Sequence, residues 1–111
     1  MSIELTKDYI EYFNNKDLVG LRNLLCDKVV LEDPVVKRVE GIDNVLFEIN
    51  NIFKSCNILS FKAKNIYQDH NITIVEFILK IDNNTLKGVD IIEWKDSKIK
   101  QLRAYLDIPK D

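Results

Sequence analysis

Residues 57–106 read NILSFKAKNIYQDHNITIVEFILKIDNNTLKGVDIIEWKDSKIKQLRAYL, and the class of the fold turns on them. β-branched and aromatic side chains dominate this half of the chain and helical spacing is absent; both features predict strands. Asp69-His70-Asn71, Asp82-Asn83-Asn84 and Lys95-Asp96-Ser97 are turn formers that cut the segment into strands of roughly eight to eleven residues. Connections this short join strands running in opposite directions, so the expectation is an antiparallel meander.

The upstream half reads as helices. Ser2 can cap a first helix in which Leu5, Tyr9, Tyr12 and Phe13 make one apolar stripe, and Tyr9 therefore faces inward. Asn14-Asn15-Lys16 breaks it, and Asp17 caps a second helix presenting Leu18, Leu21, Leu24 and Leu25. A short strand, Val29 to Glu32, then enters the stretch VLEDPVV (30–36), in a loop that Gly41 closes. The strongest helical signal follows, with Ile42, Val45, Leu46, Ile49, Ile52 and Phe53 on one face and Asp43 in the first turn. Helices followed by a strongly curved antiparallel sheet make an α+β fold with the helices on one face. A sheet curling around the longest helix would form a cone with an open mouth. At 111 residues the chain is expected to be a single domain spanning 1–111.

Composition narrows the function. The formal net charge is −2 and the 16 Lys and Arg are dispersed, so no basic face is available for a phosphate backbone and nucleic acid is not expected as a partner. MSIELTKDYI has acids where a signal peptide needs a basic region and an apolar run, and no stretch reaches membrane-spanning length; the expectation is a cytoplasmic protein with no membrane partner. Cys26 and Cys56 match no metal spacing and read as reduced, partly buried thiols. His70, the only histidine, falls in a turn, so no metal site is expected.

Two acids stand out. Strand alternation puts Asp90 on a face with Leu86, Gly88, Ile92 and Trp94. An acid there loses hydration and its pKa rises, so it can stay neutral and donate a hydrogen bond. The alternatives are a solvated face, a backbone N–H partner, or an ion pair with Arg103. Asp33 lies between apolar residues in VLEDPVV, and its proline neighbour has no N–H to donate, which favours basicity. Alone, Asp33 reads as an Asp-Pro surface turn with a solvated carboxylate, and Tyr9 as an ordinary core tyrosine.

Together these residues resemble a known family. Tyr9 to Val35, YIEYFNNKDLVGLRNLLCDKVVLEDPV, is similar to the start of the bacterial steroid Δ5-isomerases (ketosteroid isomerases), members of the SnoaL-like and NTF2-like superfamily of cone-shaped α+β folds. The resemblance continues through VDII at Asp90 to the terminal RAYL. It implies Asp33 as general base, Tyr9 as oxyanion donor and Asp90 as a protonated oxyanion donor. It also implies a substrate pocket lined by Phe13, Phe53, Ile92, Trp94 and Leu106, no cofactor, a small apolar ketone as substrate, and a homodimer formed through the sheet. Ile92 and Leu106 stand where the family commonly has aromatic residues, which weakens the case for a flat steroid. Lys37 and Arg38 are either solvated loop charges or groups that approach an anionic ligand. Two other functions fit the same resemblance: a non-catalytic ligand-binding or dimerisation module, and a SnoaL-type cyclase or hydrolase that uses Asp90.

Overall fold

Turn chemistry sets the topology. A computed structural model describes residues 2–108, and its order is α1 (Ser2–Asn14), α2 (Leu18–Leu24), β1 (Leu25–Asp33), β2 (Lys37–Glu40), α3 (Ile42–Lys54), β3 (Leu59–Asp69), β4 (Ile72–Ile81), β5 (Asn84–Lys95) and β6 (Lys98–Asp107). The three predicted turns are tight, with left-handed backbone at His70, at Asp82, and at both Asp96 and Ser97. Asn, Asp and His tolerate this region better than most residues, and its twist suits adjacent antiparallel strands. The meander β3-β4-β5-β6 is therefore antiparallel throughout, while β1, arriving from the helical half, adds to β6 in parallel. The sheet order is β2-β1-β6-β5-β4-β3. Irregular register at Ala63/Asn65, at Glu93/Trp94 and between Leu25 and Val30 adds local bend and twist. The result is the expected α+β arrangement, helices against a curved, mostly antiparallel sheet.

The helices are bounded as their sequences dictate, with local corrections. α1 already contains Ser2, whose carbonyl accepts a hydrogen bond from the Thr6 hydroxyl. Asp17 caps α2 by accepting from the Gly20 amide at 3.0 Å. α2 ends at Leu24, and Leu25 opens a strand of nine residues rather than the short Val29–Glu32 expected. Leu25 has extended backbone while its amide still bonds the Arg22 carbonyl; it is buried in the strand, as it would have been in the helix. The segment read as a loop holds β2, paired to β1 from Val30↔Glu40 to Asp33↔Lys37. Its Lys-Arg-Val-Glu sequence lacks an apolar face because it is a sheet edge, where charge deters further strand pairing.

Tyr9 and Phe13 of α1, Val45, Ile49 and Phe53 of α3, and the inner residues of the sheet make one core. Rings run through it in series, Phe53 to Phe13 and Phe13 to Phe61 at 5.0 Å and Phe61 to Phe77 at 4.9 Å between centroids. Such offset and edge contacts each add about 1 kcal/mol beyond area burial. Among the described residues no helix is long and apolar enough to cross a membrane.

Candidate active site

The inner face of β5 carries Asp90, Ile92 and Trp94, all buried. Asp90 is 4% exposed. Its cross-strand neighbours are Val75 on β4 and Ala104 on β6. Arg103 points the other way, sharing a row with Ile91 and donating to Gln101 at 2.8 Å. The ion pair considered from sequence is absent, and so is a backbone partner. Among the described residues no donor or acceptor reaches the Asp90 carboxyl or the Tyr9 hydroxyl, yet neither group is sealed and unpaired. Both face an internal cavity of about 70 Å³.

Asp33, at the end of β1, lines the same cavity. It is half-buried, and its Oδ1 accepts from the amides of Val35 at 2.8 Å and Val36 at 2.7 Å. The surface-turn reading and the site reading thus describe one residue, because the turn closes on one carboxylate oxygen and leaves the other free. The expectation that proline would leave Asp33 poorly hydrogen-bonded fails: the next two amides supply what Pro34 lacks.

The rest of the wall is apolar, including Phe13, Ile49, Ile52, Phe61, Phe77 and Leu106. Of the expected lining residues, Phe13 and Leu106 reach the cavity; Phe53, Ile92 and Trp94 do not. Phe53 packs edge-on against Phe13 from behind. Ile92 is fully buried in the core. The Trp94 indole donates to the Thr73 hydroxyl at 2.9 Å, which bonds Thr6 at 2.8 Å and ties the sheet to the start of α1. Phe61, Phe77 and Leu79 were missed as lining, although inward parity on β3 and β4 marks them as core. Parity identifies the face of a sheet, and depth along the cone depends on register.

Lys37 and Arg38 are also placed. Arg38 bonds Glu32 at 2.7 Å and Glu40 at 3.2 Å, so its charge is satisfied on the outer surface. Lys37 donates to the Pro34 carbonyl and stays outside the cavity. A wider concavity, about 820 Å³ beside Arg22, Cys26 and Lys98, holds none of the three polar groups. His70 is in a turn, 2.7 Å from Asp69 and exposed.

Electrostatics divides the roles. Burial, helped by the charge on Asp33, pushes the Asp90 carboxyl up to about 8. Burial, then the neighbouring Asp90, pushes the Tyr9 phenol well above its ordinary value. At neutral pH the cavity thus presents an O–H from each of Tyr9 and Asp90 beside the free carboxylate oxygen of Asp33. Such a set can donate to a ligand oxygen and exchange a proton with a nearby carbon.

The profile of the SnoaL-like domain family matches residues 6–102. No curated protein sequence matches. Among solved structures, an NTF2-like protein of unknown function from Cytophaga hutchinsonii superposes with a TM-score of 0.85 at 12% identity, covering 96% of this chain and 90% of that one. A candidate ketosteroid isomerase from Kribbella flavida gives 0.85 at 17% identity, covering 97% and 78%. An epoxide hydrolase from M. tuberculosis gives 0.78 at 19% identity, covering 95% and 81%. At these identities the likeness is one of fold.

Proposed function

From a chain that belongs to the SnoaL-like domain family, and that turns the two unpartnered groups of Tyr9 and Asp90 toward Asp33 in one apolar cavity, we propose an isomerase that moves a proton next to a carbonyl. The substrate carbonyl oxygen accepts from Tyr9 and protonated Asp90. The free oxygen of Asp33 takes the proton from the adjacent carbon, the electron pair moves onto oxygen as an enolate, and the O–H donors hold that charge. Asp33 then returns the proton at the γ carbon, which leaves a conjugated enone and a neutral balance of protons. The observation that carries this reading is the pair of O–H groups on Tyr9 and Asp90 that open onto the same apolar cavity as Asp33 without a hydrogen-bond partner among the described residues, where an enolate oxygen would accept from both.

The test is growth of enone absorbance on mixing the protein with small β,γ-unsaturated ketones. Asp33→Asn should abolish it, and failure to convert any of several such ketones sinks the proposal. If instead the chain is a hydrolase or cyclase that uses Asp90, Asp90→Asn abolishes activity and Asp33→Asn spares it. The small volume of the cavity, about 70 Å³, favours one further reading, a binding module, in which Asp33→Asn leaves ligand affinity unchanged and no substrate turns over.

We also propose that two copies pair through the outer sheet face, where Tyr67, Ile74 and Ile91 lie in one row across β3, β4 and β5. Tyr67 is 55% exposed, and Arg103 and Glu32 continue the row as a polar rim.

A further inference from the structure

The space around the cavity constrains what enters it. At about 70 Å³ it is roughly half the ~150 Å³ cavity that admits benzene, so it takes about three heavy atoms and no fused rings. Two open grooves abut it, one of about 340 Å³ beside Asp33, Pro34 and Lys37, the other about 420 Å³ beside Phe77, Gly88 and Tyr105. Leu106 borders all three spaces. It shares the wall toward the first groove with Asp33 and Ala104. Ala104 has no rotamer to change, and Asp33 is pinned by the Val35 and Val36 amides. Leu106 is the member of that wall free to turn aside. Gly88, its partner across the strands, leaves the room it occupies: a Cβ at 88 would come within 3.0 Å of Leu106 Cδ2 and 2.8 Å of Phe77 Cζ.

Resting on the proton-transfer reading above, we propose that Leu106 is the partition that determines specificity, and that the substrate is a slim, open-chain carbonyl compound. Its carbonyl group and α carbon occupy the cavity, and the rest of its chain passes Leu106 into the groove beside Pro34, whose wall Asp33 shares. Polycyclic ketones are excluded because Leu106 cannot clear a path as wide as a ring system.

The test uses saturated ketones, which bind without turning over: pentan-2-one as the slim probe and 1-decalone as the bulky one. Affinities are read by amide NMR titration on the wild-type protein, on Leu106→Ala and on the milder Leu106→Val. The wild type should prefer pentan-2-one, and Leu106→Ala should shift the decalone-to-pentanone affinity ratio about ten- to two-hundred-fold toward decalone. Leu106→Val should move it the same way by less, which keeps the test valid if the alanine variant folds poorly. A wild type that binds decalone as well as pentan-2-one, or a ratio unmoved by both variants, overturns the partition. Turnover of pent-4-en-2-one is measured alongside. Its absence with a shifted ratio removes the reaction and leaves the partition, whereas turnover with an unmoved ratio does the reverse.

Discussion

Replacing Asp90 by Asn keeps the shape of the side chain and removes its titration. In the native state Asp90 holds its proton up to about pH 8, while in the unfolded chain it releases it near the ordinary 3.8. Between those values the native state binds one proton more than the unfolded state, so stability falls as pH rises, by about 1.4 kcal/mol per pH unit. This contribution is fully present below about pH 4 and is lost as pH climbs through 8, a total on the order of 5 kcal/mol. That is a large share of the stability of a domain this size. Asp90→Asn carries no such loss, so its advantage over the wild type should widen by about 1.4 kcal/mol per unit between pH 5 and 7. Urea unfolding of both proteins across that range checks it, with equal m-values as the control. Parallel stability curves would refute the buried, proton-holding Asp90.

Four further outcomes are expected. Asp33→Asn removes the lesser cause of the Asp90 shift, so the Asp90 transition should move down yet stay above the ordinary carboxylate range, as read by carbonyl NMR titration. Tyr9→Phe deletes a hydroxyl that has no protein partner; thermal unfolding should hold steady while kcat falls about 10²- to 10³-fold. Thr73→Val strands the Trp94 indole N–H in the core, while the Thr6 hydroxyl keeps its bond to the Ser2 carbonyl, for a loss of about 1–3 kcal/mol in urea unfolding, accompanied by a change in tryptophan fluorescence. Ile91→Lys puts a charge in the middle of the outer sheet face; light scattering should report the proposed dimer for the wild type and a monomer for the variant.

How much of this was legible depended on whether local chemistry or register decided the point. The turns at His70, Asp82 and Asp96-Ser97 were readable because few residues accept left-handed backbone. Asp90 was readable because period-two alternation along one strand is independent of what packs on it. Leu25 was not, since a buried leucine satisfies the last turn of a helix and the first of a strand equally well. β2 was hidden by its charges, which belong to its edge position. Trp94 and Ile92 share a face with Asp90 but sit deeper along the strand, toward α1, and one-dimensional parity carries no information about depth.

The difference between the two carboxyls also has a local origin. Two acids facing one small apolar cavity do not both ionise at little cost, because the dielectric is low and each charge opposes the other. Which one keeps the proton depends on where the remaining charge is best solvated. Asp33 sits at a turn whose Val35 and Val36 amides point at its Oδ1, whereas no donor among the described residues reaches Asp90. Asp90 therefore keeps its proton at neutral pH. The Asp-Pro turn, bland when read by itself, is what gives the two carboxyls different surroundings: the backbone that follows Pro34 donates to Asp33, while the strand acid stays in the sheet without a donor among the described residues.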